Sequence, residues 1–359
     1  MTMKDDLSDI RIRIDRLDDE LLDLLRQRAE LAICAGKAKK SGSVFLRPER
    51  EAEIIRRLSK QGGVLPDASI AAIYREIISA CLAGERAQRI AYLGPQGTYS
   101  YDAARKHFGH AAEFLPAKTI AAVLREVEKE NCDFAVVPLE NSTEGTVGAT
   151  MDALLETPLT IGGEIMLRIR HNLLSRAADL GAIRSIHAHP QALAQCRRWL
   201  EDNVANISRI AGESNAAAAA HAAADETAAA IASLSAASIF NLSVLADDIE
   251  DSAFNTTRFL ILGRAQPAPS GADKTSFIMT TRHESGAMLR LLEPMARAGV
   301  SMTKLESRPS HGQLWEYFFY VDVAGHLQDA NGAVAASLDE IKSLAPRLKI
   351  LGSYPCAAD

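Results

Sequence analysis

The sequence predicts three modules: an all-α unit over residues 1–89, an α/β unit over 90–268 and an α+β unit over 272–359. Three observations carry this. Apolar residues recur at helical spacing, with no proline between them, through residues 10–40. The middle of the chain alternates strand, loop and helix. After a Pro/Gly/Ser-rich stretch at 266–271, the order becomes βαββαβ, which is ferredoxin-like. The length agrees, since 359 residues make two or three domains at roughly 100–200 residues each. With 47% hydrophobic and 24% charged residues the chain is globular rather than fibrous or disordered. No apolar run reaches the ~18–20 residues that span a bilayer, and no basic-then-apolar leader opens the chain, so no membrane partner and a cytoplasmic location are expected.

Charge is unevenly spread: residues 1–89 carry 17 Lys and Arg against 15 Asp and Glu, while 90–359 carry 23 against 31. The N-terminal excess suggests a module that handles something anionic. A net charge of −6 without a basic stripe argues against nucleic acid. Cys34, Cys81, Cys132, Cys196 and Cys356 are widely spaced with no C-x-x-C pair; they read as reduced thiols, neither disulfides nor a zinc site.

In the first module, Ile10, Ile14, Leu17, Leu21, Leu24, Leu25 and Leu31 mark one helix with Ser8 or Asp9 as cap and Gly42 beyond its end. At about 45 Å it outruns a small domain, so a second copy is the economical cover for its stripe. Two more helices follow at 48–60 and 68–85. Arg28 and Lys39 share a face about 16 Å apart and can converge on a small dianion. Arg11 lies about 25 Å from Arg28 and joins that site only from an antiparallel partner.

The run RIRIDRLDDELLDLLRQRAELAICAGKAK (11–39), followed by RPERE and IISACLAGE, resembles the all-helical chorismate mutase family. The resemblance implies an intertwined homodimer in which Arg28 and Lys39, Arg11 of the other copy, Arg47, Arg50, Glu51 and Glu85 line a chorismate pocket. Arg47 stands where some members have an acidic residue and Cys81 where some have serine. Guanidinium forks would hold the two carboxylates in the folded pose. Lys39 and a protonated Glu85 would stabilise charge growing on the breaking ether oxygen.

In the middle module, strands at 89–93 and 132–139 lead into the hydroxyl-rich loops GPQGTYS (94–100) and ENSTEGTV (140–147), each before a helix. Such starts attract anions, and the first loop is not a dinucleotide fingerprint. With HPQALAQCRRWL (189–200) and NTTRFLIL (255–262), these four motifs resemble the prephenate dehydratase catalytic domain from about 92 to 263. That implies two α/β subdomains around a cleft, as in type II periplasmic binding proteins. Thr257 is implied as catalytic hydroxyl, with Thr98, Asn141, Ser142 and Gln195 in the cleft. Arg258 is either a substrate anchor or a structural ion-pair partner. Ala188 replaces the usual serine before His-Pro-Gln, and His189 reads as a helix-entry residue. The alanine-rich segment 215–234 reads as packed helix. The loss of carbon dioxide and hydroxyl is driven by aromatisation and needs no metal or cofactor.

The last module, with GAMLRLLEPMARAGVSMTKLESRPS, WEYFFYVDV and KILGSYP, resembles the regulatory ACT domain. This implies an L-phenylalanine site between paired modules, formed by Gly286, Ala287, Met288, Glu306, Ser307, Arg308 and Pro309. A surface salt bridge is the plain alternative for Glu306 and Arg308. Met288 stands where leucine is commoner. Together the resemblances imply a bifunctional enzyme of phenylalanine biosynthesis, a homodimer or higher homo-oligomer, taking chorismate to prephenate and on to phenylpyruvate under phenylalanine feedback. Arogenate dehydration in the same cleft, or an amino-acid sensor with inactive catalytic domains, are the alternatives.

Overall fold

A computed structural model describes residues 7–38, 48–61, 63–84, 86–282, 284–309 and 317–357. The proline-free N-terminal run forms one helix, α1 (Leu7–Ala38), three residues longer at its start than the periodicity indicates. None of its residues is buried, and Leu17, Leu21, Leu24 and Leu31 are exposed along it. Two shorter helices, α2 (Pro48–Ser59) and α3 (Asp67–Ala83), pack together and α3 meets α1. They also dock on the rest of the chain: Glu76 of α3 accepts from the His110 backbone at 3.0 Å and Arg56 of α2 donates to the Ser270 carbonyl at 2.7 Å.

The next stretch builds a sheet of six strands. In chain order it runs β1 (Arg89–Leu93), α4 (Tyr99–Phe108), β2 (Glu113–Ala117), α5 (Ile120–Glu128), β3 (Phe134–Asn141), β4 (Gly145–Thr146), α6 (Gly148–Glu156) and β5 (Thr160–Arg168). The chain then crosses into a second sheet with β6 (Asn172–Ser175), β7 (Ser185–Ala188), α7 (Pro190–Gln195), α8 (Arg197–Val204), β8 (Ser208–Ala211), α9 (Asn215–Ala224), β9 (Ala228–Ala232), α10 (Leu234–Phe240) and β10 (Ser243–Ala246). It returns through β11 (Thr256–Gly263), which inserts antiparallel between β3 and β5. Two α/β lobes joined by two crossing segments enclose a cleft, matching the expected two-subdomain architecture.

The alanine-rich segment corrects one expectation. Only its first half is helix; Ala228–Ala232 is a strand, flanked by β6 and β7 and fully buried. Asp225 ends α9 by accepting from the Thr227 backbone and hydroxyl, both at 2.8 Å. A strand covered on both faces takes small residues as readily as branched ones when helices must approach closely, and helix propensity loses to that packing.

The C-terminal unit comprises β12 (Asp273–Thr280), α11 (Ala287–Arg297), β13 (Met302–Pro309), β14 (Tyr317–Ala324), α12 (Ala333–Leu344) and β15 (Leu348–Pro355), in sheet order β13-β14-β12-β15. This is the ferredoxin-like arrangement expected. The linker before it is no loose seam, because Ile278, Phe318, Tyr320, Leu351 and Tyr354 share one apolar core with Val137, Leu154 and Leu260. Gly352 shows how close the units come: a Cβ there would lie 2.4 Å from the Ile161 carbonyl oxygen, and its φ is +152°. Lys349 caps α6 by donating to the carbonyls of Leu154, Leu155 and Thr157 at 2.7–2.9 Å. No helix among the described residues is long and apolar enough to cross a membrane.

Candidate active sites

The cleft between the two lobes holds about 410 Å³ and is lined by Thr98, Asn141, Gln195 and Thr257, four of the residues expected there. β11 presents Thr257 and Phe259 to it, and β3 presents Asn141 directly opposite Thr257. Asn141 Nδ2 donates to Thr257 Oγ1 and to Asn255 Oδ1, both at 2.8 Å. Its orientation is fixed because Oδ1 accepts from the backbone N–H groups of Thr143 and Glu144 at 3.0 and 3.2 Å. Thr257 Oγ1 is therefore an acceptor within the protein, and among the described residues it donates to no protein group. Its proton is left for whatever occupies the cleft.

The same polarity runs further. Asn255 Nδ2 donates to Gln195 Oε1 at 3.0 Å, so His171 Nε2, 2.8 Å from that oxygen, must also donate. Burial lowers the pKa of His171, against the opposing pull of Gln195 and Glu250. The His171 Nδ1 lies 2.9 Å from the Tyr99 hydroxyl, whose single proton is directed to the Arg170 carbonyl at 2.6 Å. Tyr99, His171, Asn255 and the cleft-lining Lys118 were not among the sequence candidates. Asn255 was findable, lying two residues before Thr257 in the same motif; His171 is brought in by tertiary folding alone.

Three expected cleft residues do something else. Thr98 caps α4, and its hydroxyl donates to the backbone carbonyls of Leu93 and Pro95 at 3.1 and 3.0 Å; it lines the cleft without a free proton. Ser142 does not line the cleft: it donates to the Phe254 carbonyl at 3.1 Å and accepts from the Thr256 N–H at 3.0 Å, clasping β3 to the entry of β11. Arg258 is not a substrate anchor. Strand alternation turns it away from Thr257, and it is 4% exposed. There it donates to Glu164 (2.7 Å), Asp322 (2.6 Å), Glu140 (3.2 Å) and the Tyr354 hydroxyl (3.1 Å). Ala188 is fully buried in the second sheet and presents nothing to the cleft, while His189 caps α7 through Nδ1 and also lines the cleft.

Among the described residues, the mutase candidates Arg11, Arg28, Arg50 and Glu51 do not converge in one chain. Arg11 is exposed and Arg28 half-buried on α1; Arg50 pairs with Glu53 at 2.6 Å. Glu51 instead faces a cavity of about 360 Å³ with Arg75 and His107, walled by α2, α3, β5 and the C-terminal strand. Burial pushes the Glu51 carboxyl up to about 7 against the pull of Arg75. Lys39, Arg47 and Glu85 lie outside the described residues. A lone α1 cannot bring Arg11 to Arg28, since a straight helix holds them about 25 Å apart.

In the C-terminal unit, pairing aligns Thr280, Phe318 and Arg308 across the sheet, which puts the end of β13 at the same end of the sheet as the segment leading to Gly286, Ala287 and Met288, with β14 between them. Gly286 enters α11 at φ +74°, a conformation suited to glycine. Glu306 and Arg308 do not pair with each other. Lys304, Glu306 and Arg308 are the half-buried residues of β13: Lys304 lies 4.0 Å from Glu306, and Arg308 lies 3.7 Å from Asp152 of α6. Ser307 and Pro309 are exposed.

Family comparisons agree with the layout. A model of type II chorismate mutase matches residues 10–86 and a model of prephenate dehydratase matches 90–267. The bifunctional chorismate mutase/prephenate dehydratase of Neisseria gonorrhoeae is 46% identical over 351 residues, covering 97% of this chain and 96% of that one. The chain belongs to the bifunctional chorismate mutase/prephenate dehydratase family. As a bifunctional chorismate mutase/prephenate dehydratase it rearranges chorismate to prephenate and converts prephenate to phenylpyruvate, in phenylalanine biosynthesis. Two solved structures resemble it at TM-score 0.69. The prephenate dehydratase of Arthrobacter aurescens in complex with L-Phe is 35% identical, covering 74% of this chain and 90% of that one. GqqA, described as a novel type of quorum quenching acylase, is 32% identical, covering 75% of this chain and 98% of that one.

Proposed function

We propose that the dehydratase reaction takes place in the two-lobed cleft with Thr257 as the donor to the departing hydroxyl. The observation that carries this is the hydrogen bond from Asn141, which occupies Thr257 Oγ1 as acceptor and leaves its proton for the substrate. Prephenate must lose carbon dioxide and hydroxide while the bonding electrons of the carboxylate enter the ring; a proton delivered to the leaving oxygen completes water. A threonine hydroxyl is too weak an acid to give up that proton alone, so Thr257 stabilises the leaving oxygen and solvent restores the balance. Lys118 and the N-termini of α4 and α9, capped by Thr98 and Ser214, supply positive potential for the side-chain carboxylate. Replacing Thr257 by alanine tests the assignment, which fails if dehydratase turnover stays near the wild-type rate.

The mutase site, in the same reading, forms between two copies. The exposed apolar stripe of α1 is the dimer surface, and pairing brings Arg11 of one copy to Arg28, Lys39, Arg50 and Glu85 of the other. Glu85 donates only when protonated, so mutase turnover is expected to fall as pH rises through its pKa, and Glu85→Gln, always a donor, is expected to flatten the profile. A wild-type profile flat from pH 5 to 9 and unchanged in Glu85→Gln would remove Glu85 from the mechanism.

The C-terminal unit is read as an ACT domain with a site for L-phenylalanine, and residues 1–89, 90–268 and 272–359 as the three functional domains of a cytoplasmic enzyme. Support comes from the ferredoxin-like order, from β13 as a free sheet edge with exposed Leu305, and from the relative solved with L-Phe. Titrating L-phenylalanine into a dehydratase assay is expected to inhibit it; no binding and no inhibition at millimolar concentration would eliminate the site.

A further inference from the structure

We propose that Glu140 and Arg258 are positioning residues for the dehydratase reaction, and that the C-terminal sheet sets them through Lys304 and Asp322. The assignment of Thr257 as donor is the reading on which this rests. β3 and β11 pair so that Thr257 lies opposite Asn141 and, one rung further, Arg258 lies opposite Glu140. The first rung faces the cleft, where Asn141 polarises the Thr257 hydroxyl. The second faces away from it, where Arg258 donates to Glu140 at 3.2 Å. The two rungs share peptide units, and their Cα atoms are about 3.8 Å apart along each strand.

The rear rung is held from the C-terminal unit. Asp322 of β14 accepts from Arg258 at 2.6 Å, Tyr354 of β15 accepts from it at 3.1 Å, and Lys304 of β13 donates to Glu140. Glu164 of β5 closes the cluster, accepting from Arg258 and from Lys274 of β12. Glu140, Glu164 and Asp322, with Glu306 4.0 Å from Lys304, thus bring four carboxylates to three cations, Arg258, Lys274 and Lys304. Such a cluster is stiff, because a displaced member leaves a buried charge without its partner. A shift of the C-terminal sheet moves both rear-rung residues at once, and with them the hydrogen bond between Asn141 and Thr257.

β13 reaches the wall of the cleft a second time. Arg308 packs over the start of α6 so closely that a Cβ on Gly148 would lie 2.5 Å from its Nη1, and the neighbouring Val147 lines the cleft. The strand carrying Glu306 to Pro309 of the proposed effector site therefore also carries Lys304 and Arg308, which touch residues adjoining Asn141 and the cleft wall. Occupation of that effector site would act on the reaction by this route.

The test uses the full chain with Lys304→Gln, Glu140→Gln and the double variant. Lys304 lies on an edge strand, so its replacement leaves the core closed. Each single variant is expected to lower dehydratase kcat by about tenfold or more with KM held within about twofold, and to leave mutase turnover unchanged. The double variant is expected to be no worse than the poorer single, since both act through one rung. With L-phenylalanine binding followed by calorimetry, the single variants are expected to bind it and yet keep over half of their rate at saturation. Unchanged kcat in both single variants, or losses that multiply in the double, overturns the proposal. Wild-type protein that binds no L-phenylalanine overturns the effector reading instead, while the kcat comparison still decides the positioning role.

Discussion

Thr257→Ala is expected to lower dehydratase kcat by about 10²–10³-fold, the usual cost of deleting a hydrogen bond made to charge that develops in the transition state. In the proposed cleft reading the side-chain carboxylate of the substrate is held by Lys118 and the helix N-termini, so KM should move far less than kcat. Mutase turnover should be untouched, because no candidate of the helical module contacts the cleft. Thr257→Ser should fall between the two, keeping the hydroxyl but losing the branched side chain that restricts its rotamer. Steady-state assays on prephenate and on chorismate, run separately on each variant, read both numbers.

Arg258→Met is expected to destabilise the dehydratase and C-terminal units by about 3–5 kcal/mol, because it strips the partner from carboxylates that are almost wholly buried. Glu164 and Asp322 are 7% and 0% exposed. Denaturant unfolding of wild type and variant measures this, with Thr257→Ala as a control expected within about 1–2 kcal/mol of wild type. A variant as stable as wild type would show that the cluster is not holding the two units together. The sign with pH follows from Glu164. Burial raises its pKa, but Arg258 and Lys274 outweigh that and hold it below the ordinary carboxylate value. Its stabilisation is present above the unfolded-state pKa and is lost as pH falls through the folded one, so acid should separate the units.

Helix periodicity and the spacing of motifs were enough to lay out three modules in the sequence, and the family resemblance carried by NTTRFLIL and its companion motifs proposed Thr257. The face of a strand was harder to read. Arg258 has equal claims to the cleft and to the interior until β11 is seen between β3 and β5, when alternation sends it away from its neighbour. The alanines at 228–232 carry no periodicity at all, and only burial within the second sheet makes them a strand. The linker at 266–271 looks like a boundary by composition, yet apolar residues on both sides share a core, and ion pairs between chain-distant partners such as Arg258 and Asp322 leave no local trace. For the proposed mutase site, helix spacing singled out Arg11, Arg28 and Lys39, the family resemblance supplied the rest, and the described residues of one chain do not bring Arg11 to Arg28.

The central claim is that one chain runs two successive reactions at separate sites, the second dependent on the Thr257 hydroxyl. Feeding chorismate to wild-type enzyme and to Thr257→Ala at a pH where the wild-type mutase turns over, and following prephenate and phenylpyruvate together, tests it most directly. The account predicts phenylpyruvate from wild type and accumulating prephenate, formed at the wild-type rate, from the variant. Phenylpyruvate produced by the variant as fast as by wild type, or chorismate left unconsumed by both, would contradict it.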